Sequence, residues 1–498
     1  MQKILMILEV SQKQNYVFSS KSLRDNIRRS ANISRVTSSA YFTEVCPAYY
    51  REEDNLVYSG GGHTVLQFDS REEADRFARA VTRRALADDP ELELFVRQRA
   101  YVQTQTPGEN LNELSRELEI KKSQRRHAFR TLALGIEKGG SAGKIGGSDP
   151  TFRLPRGWKE WDLQKKAADR RYAYEKDNFQ AIIHIDGNAM GARVQEIYKA
   201  CRNDWEECRR MLRRFSEDIQ LHFDQAFDEM AQEFADALDR TESIRKLRQE
   251  KRTLELPLRK VICAGDDVCF LVPCGRHGLE CAASFLRHLA TKTNGADGKR
   301  YTACAGVVLV HQKYPFRPAY DLSEELCRSA KSFCAKQDPK TREKLSALDF
   351  HIEYGQLKAT IDDIRADYQT DDNARLELRP LAVTGITDKL PRQRTYPFHT
   401  AQLSRLLWVL ENEEKNRDVK QGKRSALARS KVKSLRQYLH EGEVETKYAL
   451  KKTQSDKLLE LNPGHEAFFT DPDGVRRSLY FDTIELLDAT ELWQGVTK

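Results

Sequence analysis

One order of structural signals occurs twice in this chain, and that repeat limits the folds open to it more than any other feature. In the first copy ILMILEV at 4–10 is apolar almost throughout and reads as a buried strand. A helix carrying possible Ser caps is expected from Ser19 to Ala31. NLVYSGGGHTVLQF at 55–68 reads as two short strands around Gly60, Gly61 and Gly62, a hairpin. Within Arg71–Ala87, Ala74, Phe77, Ala80, Val81 and Leu86 recur at helical intervals, and Glu91 to Val96 alternates as a strand does.

The second copy repeats that order with AIIHID at 181–186, the hairpin KVICAGDDVCFLVP at 260–273, a helix from Gly278 to Ala290 and the strand YTACAGVVLV at 301–310. An insertion precedes its hairpin. There Met211, Phe215, Ile219, Phe223, Phe227, Met230, Phe234 and Leu238 recur every three or four residues, the stripe of a packed helix. Strand, helix, hairpin, helix, strand describes an antiparallel sheet with helices on one face. The expected fold class is therefore α+β: two ferredoxin-like palm domains plus a C-terminal helical domain. Residues 1–100 are assigned to a first, degenerate palm, 101–175 to a polar linker region, 176–360 to a second palm and 361–498 to helices, among them Thr400–Glu413 and Arg424–Leu439. The Gly-rich run EKGGSAGKIGGSDP at 137–150 is expected to loop.

Charge and cysteine usage exclude several classes. With 39% hydrophobic and 32% charged residues, the apolar runs Ile4–Leu8 and Ala181–Ile185 fall far below the roughly 20 residues a membrane helix requires. No membrane partner is expected, and a cytoplasmic location is. The ten cysteines include no CxxC pair that could open a zinc or redox site, and several fall in apolar runs as small core residues do. Net charge is +8, with Lys and Arg concentrated between 415 and 436; that segment fits a polyanion such as RNA and equally a solvated helix face.

The second copy carries the chemistry. Asp186 ends a strand and Gly187 follows it, so a carboxylate is presented where a ligand can approach closely. Asp266 and Asp267 occupy the tight turn after Gly265, where adjacent acids repel unless a cation or solvent compensates. Ordinary hairpin turns also use Asp and Gly. In this topology the first strand and the hairpin are neighbours, so the three acids can converge to hold two Mg²⁺ or Mn²⁺ ions for nucleotidyl transfer from nucleoside triphosphates. Lys331, in the helix after the last strand, is placed to reach a triphosphate or to be a surface lysine. His184 shares a strand face with Asp186 and is given no role. In the first copy the matching positions are Glu9, Gly62 and His63, so that hairpin has lost its acids; Gly61 and Gly62 fit close approach of a nucleotide, or a plain turn.

With these residues in view, the sequence resembles the large palm-domain subunit of type III CRISPR effector complexes (the Cmr/Csm large-subunit family), relatives of the GGDEF cyclases. DGNAMG at 186–191 is similar to that family's DGDxMG element and VICAGDDVCFLVP at 261–273 to its GGDD hairpin. YSGGGHTVLQF at 58–68 resembles the hairpin of its non-catalytic palm, and HQKYPF at 311–316 and SAK at 329–331 also fit. The resemblance covers roughly residues 1–350. It implies synthesis of a cyclic oligonucleotide second messenger from ATP in antiviral defence. By the same implication Asp186, Asp266 and Asp267 hold the metals, Gly187, Asn188, Gly265 and Lys331 contact nucleotide, and the partners are RNA, other effector-complex subunits and a downstream cyclic-nucleotide-gated effector. Ala264 replaces the first Gly of GGDD and Asn188 the second acid of DGDxMG. The first palm begins at the amino terminus, so a shortened subunit without the histidine-aspartate nuclease domain is expected. A catalytically silent RNA-binding scaffold subunit is the alternative.

Overall fold

A computed structural model describes residues 3–20, 22–124, 152–163, 179–250, 254–355, 360–419, 429–452, 458 and 466–493. The expected loop at 137–150 and residues 420–428 of the basic segment lie outside these. In the first repeat β1 (Ile4–Val10) is followed by the short helix α1 (Lys13–Val17), α2 (Leu23–Val36), the hairpin β2 (Leu56–Gly60) and β3 (His63–Phe68), α3 (Arg71–Asp88) and β4 (Leu94–Ala100). The sheet order is β2-β3-β1-β4, with β1 antiparallel to both neighbours. Ile4 to Leu8 are all buried, as a central strand covered on both faces requires, which is why β1 shows no alternation. The helix expected at 19–31 starts later because Ser22 is its cap, accepting from Asp25 N. It runs on to Val36 because Ile33 and Val36 complete its buried stripe.

The region 101–175 is not linker throughout. Thr106 and Glu109 form a reciprocal capping box around Pro107, starting α4 (Pro107–Ser123), which buries Leu111, Leu114 and Leu118. The polar outer face of this helix hid it in the composition.

The second repeat comprises β5 (Phe179–Gly187), α5 (Met190–Cys201), α6 (Trp205–Asp239), the hairpin β6 (Arg259–Ala264) and β7 (Asp267–Val272), α7 (Gly278–Leu289), β8 (Ala303–His311) and α8 (Phe316–Ala335). Two further strands, β9 (Ser346–Glu353) and β10 (Leu381–Thr384), complete the order β10-β9-β8-β5-β7-β6. Its last four strands reproduce the first sheet, so the two palms are present as expected. The inserted helix α6 spans 35 residues and buries Phe215, Ile219, Phe223, Phe227, Met230, Phe234 and Leu238.

Beyond residue 360 the chain is helical in α9 (Tyr396–Val419), α10 (Arg429–Glu441) and α11 (Glu443–Lys452) but not helical only. β10 pairs antiparallel with β9, and Phe468–Thr470 pairs with Arg476–Ser478. β10 is drawn into the palm sheet because Leu381 and Ala382 are apolar and fully buried beside it. Arg379, also buried, stacks 4.2 Å over Phe350 of β9, while the backbone N–H groups of Leu378 and Arg379 donate to Asp482 at 2.8 and 3.0 Å. No helix among the described residues is long and apolar enough to cross a membrane.

Candidate active site

The two hairpin turns face each other. In the first palm Gly61 and Gly62 both take positive φ (58° and 77°), the backbone of a type I′ turn. In the second only Gly265 does (φ 72°), and Asp266 follows it as the second turn residue. A Cβ built on Gly265 would lie 3.5 Å from Gly61 N, so the tips touch through glycine. One helix holds both. On α6 the Ser216 hydroxyl donates to Ser59 O of the first hairpin, and one turn further Gln220 accepts from Gly265 N at 2.9 Å.

Asp186 pairs directly with Asp267 across β5 and β7, and Gly187 N donates to Asp266 O at 3.2 Å. The three acids are thus gathered at one end of the sheet. Gly187 is required there, since a Cβ would lie 2.9 Å from Asp266 Cβ. Burial, then the Asp186 charge, pushes the Asp266 carboxyl up to about 6 and that of Asp267 up to about 7; Lys331 opposes both shifts and Lys13 opposes the second. Asp267 Oδ1 is buried without a hydrogen-bond partner among the described residues, with His184 Nδ1 at 3.5 Å. Lys331 Nζ lies 2.6 Å from Asp186 and donates to Gly187 O at 3.0 Å. Its ammonium takes the place a cation would fill, and among the described residues no closed cage of three metal-ligating side chains stands ready. The donor set still suits a hard divalent ion: carboxylate oxygens, one of them orphaned, in a pair that resists ionising without added positive charge.

A divalent ion held by the turn acids would require both to be deprotonated. Since their values are raised into the range about 6 to 7, affinity for Mn²⁺ is expected to rise steeply from pH 5.5 to about 8. A calorimetric titration showing the same affinity at both ends would contradict this environment.

The first palm retains the frame of the site with different charges. Glu9 pairs with His63 as Asp186 does with Asp267. Lys122, on the helix after the last strand, lies 2.8 Å from Glu9 as Lys331 does from Asp186. Lys13 adds a second cation: it approaches Glu9 at 3.7 Å and donates to Gly61 O beside the second palm's turn. Sequence reading passed over Lys13 and Lys122; only superposing the repeats reveals the latter, because α4 was assigned to linker.

At the other side of Asp186 the chain enters α5 through Ala189, held at φ 58°. This helix has no side-chain cap, and a Cβ on Gly191 would meet nothing within 4 Å. Ala189 and Ala192 at its start line a cavity of about 580 Å³ bounded also by the cations Arg300, Lys331, Arg342 and Lys344 and by Glu196 and Glu343. Free helix N–H groups beside cations form an anion seat. Asn188 does not turn toward the acids: its Nδ2 donates to Leu345 O at 3.3 Å and its N–H to Thr302 O at 2.8 Å. Gly62 is packed by Ile33 and Lys13, leaving Gly61 as the first-palm glycine at the interface.

Residues 179–340 match the family model described as Cas10/Cmr2, second palm domain. No curated protein matches the chain. Among solved structures, the Csm1-Csm4 cassette in complex with cA3 is similar at 12% identity and a TM-score of 0.45, covering 67% of this chain and 53% of that one. The cassette in complex with AMPPNP gives 13% and 0.44 over the same shares, as does the Csm1-Csm4 subcomplex in the type III-A CRISPR-Csm interference complex. The chain spans about half the length of the structures it matches. Residues 179–340, which include β5 through α8, are similar to a palm domain of the Cas10/Cmr2 type.

Proposed function

We propose that this chain is a divalent-cation-dependent nucleotidyltransferase that joins nucleoside triphosphates, ATP foremost, into a cyclic oligonucleotide messenger in antiviral defence, releasing pyrophosphate. The observation that carries the reading is the gathering of Asp186, Asp266 and Asp267 beside Lys331 and the uncapped N-terminus of α5. The relatives' ligands agree with it, since Csm1-Csm4 cassettes are described with cA3, cA4, AMPPNP and pppApA.

Asp186, Asp266 and Asp267 would hold Mg²⁺ or Mn²⁺, two ions in this reading, which when bound favour the alkoxide form of an attacking 3′-hydroxyl and offset triphosphate charge. The N–H groups opening α5 then donate to phosphate oxygens, and Lys331 exchanges Asp186 for phosphate. Gly187 and Gly265 keep the approach open, Asn188 contributes its backbone loop, and Gly61 presents the first palm to a second nucleotide while Gly62 packs behind it on Ile33 and Lys13. Lys331→Ala is expected to lower kcat roughly a hundredfold, whereas Lys122→Ala lowers it far less. Equal losses in steady-state assays would contradict a distinction between the copies.

The deciding experiment is mass spectrometry of products from mixed labelled triphosphates with Mg²⁺ or Mn²⁺, with and without RNA. A cyclic oligonucleotide is expected; no product under any trigger overturns the reading. RNA and effector-complex subunits belong to this proposal as activators, and a cyclic-nucleotide-gated effector as the receiver. The second reading, a silent RNA-binding scaffold, is favoured by Asn188, which brings no carboxylate and is turned to Leu345. Salt-sensitive RNA binding without turnover would select it.

A further inference from the structure

Of the cysteines whose side chains are described, all are buried, and most do what apolar core residues do. Two stand apart. Cys304 Sγ and Cys334 Sγ are 3.6 Å from each other, joining β8 to the last turn of α8. Cys327 donates to Cys304 O at 3.2 Å, and these three residues, with neighbours such as Ala330 and Leu345, form a small core separate from the main one. This core lies directly under the acid site: Cys304 is the register partner of Asp186, and Cys334 stands three residues beyond Lys331 on one face of α8. The pair is also reachable. Cys334 forms part of the wall of the 580 Å³ cavity shared by Asn188 and Lys331, while Cys304, at 0% exposure, sits behind it.

We propose that Cys334 and Cys304 form a thiol–disulfide switch that takes small-molecule disulfides as its oxidant. The Cys334 thiol, held protonated by its contact with Cys304 and by burial, passes its proton to the Cys304 sulfur and attacks a disulfide entering the cavity, giving a mixed disulfide and releasing one thiol. The Cys304 thiolate then attacks the Cys334 sulfur, expels the second thiol and leaves a Cys304–Cys334 bond. Two protein thiols are oxidised, one external disulfide is reduced to two thiols, and both protons leave with them. Closing the observed 3.6 Å between the sulfurs to a disulfide of about 2.05 Å turns both side chains and ties β8 covalently to α8. Those elements position Asp186 and Lys331, so oxidation alters the acid site whatever reaction it performs.

The test uses the full-length protein under native conditions with glutathione disulfide, followed by thiol blocking, digestion without reductant and mass spectrometry. The expected result is a 304–334 linkage, removed by dithiothreitol, with Mn²⁺ affinity at pH 8 reduced roughly tenfold and restored on reduction. Cys201 and Cys208, another neighbouring pair, give the internal comparison. Absence of the 304–334 linkage, or a 201–208 linkage in its place, overturns the proposal; linkage with unchanged Mn²⁺ affinity overturns its coupling to the site. Cys304→Ser is expected to stop at a mixed disulfide on Cys334, and the unsubstituted protein decides the matter if that variant fails to fold.

Discussion

Replacing Asp266 and Asp267 together with Ala is expected to reduce oligonucleotide synthesis by at least about a thousandfold while leaving the protein folded and slightly more heat-stable. The two halves of that expectation come from one cause. Burial and the neighbouring Asp186 charge hold both carboxyls above the usual carboxylate range, so ionising them at pH 8 opposes folding. Their favourable protonated form is lost as pH rises through about 6 to 7. Removing them relieves the repulsion, and the thermal midpoint at pH 8 is expected to rise by about 2 °C. The same substitutions remove the ligands, so calorimetric Mn²⁺ binding should vanish along with product. Residual synthesis near the unsubstituted rate would sink the catalytic assignment, and a marked fall in the midpoint would make these acids structural.

Gly306→Val should disturb the fold more than any substitution at the acids. A Cβ at this position of β8 would lie 1.9 Å from Ser323 O and 2.6 Å from Cys327 N, both backbone atoms of α8. Neither can swing aside, so the helix must lift from the sheet, and a Val adds two methyl groups to that overlap. The expected cost is about 3 kcal/mol, seen as a drop of several degrees in a calorimetric melt. Gly306→Ala is the milder form and carries a functional signature: as α8 lifts, Lys331 leaves Asp186, so Mn²⁺ binding changes before stability is exhausted. A midpoint unchanged by either variant would mean that α8 does not pack as closely as described.

The repeat was legible because strands buried on both faces, such as β1 and β5, announce themselves as unbroken apolar runs, and because turn glycines cannot easily be replaced. Ends of elements were less so. β4 begins at Leu94, not Glu91, because Leu92 N still bonds Asp89 O in a turn, and the alternation of Glu91 and Glu93 with leucines imitated a strand. α4 was missed although Thr106, Pro107 and Glu109 spell its start; polar composition outweighed three leucines. At the site the acids could be placed from spacing alone, whereas the Lys331 contact, the turning away of Asn188 and the approach of Lys13 depend on how two repeats dock, which no local pattern encodes.

The position of β10 has a consequence for how the protein is born. The acid-bearing sheet is not finished when its repeat ends at β8, for β9 stays an unpaired edge until Leu381–Thr384 arrives. At ordinary translation speeds the roughly 27 residues between Glu353 and Leu381 take about 1 to 5 s to synthesise. Throughout that interval the nascent chain presents a fully buried-type strand, SALDFHIE, with one side open to pairing. Slowing the ribosome there, or ending the chain near residue 360, exposes the edge for longer, so insolubility rather than inactivity is the failure to look for.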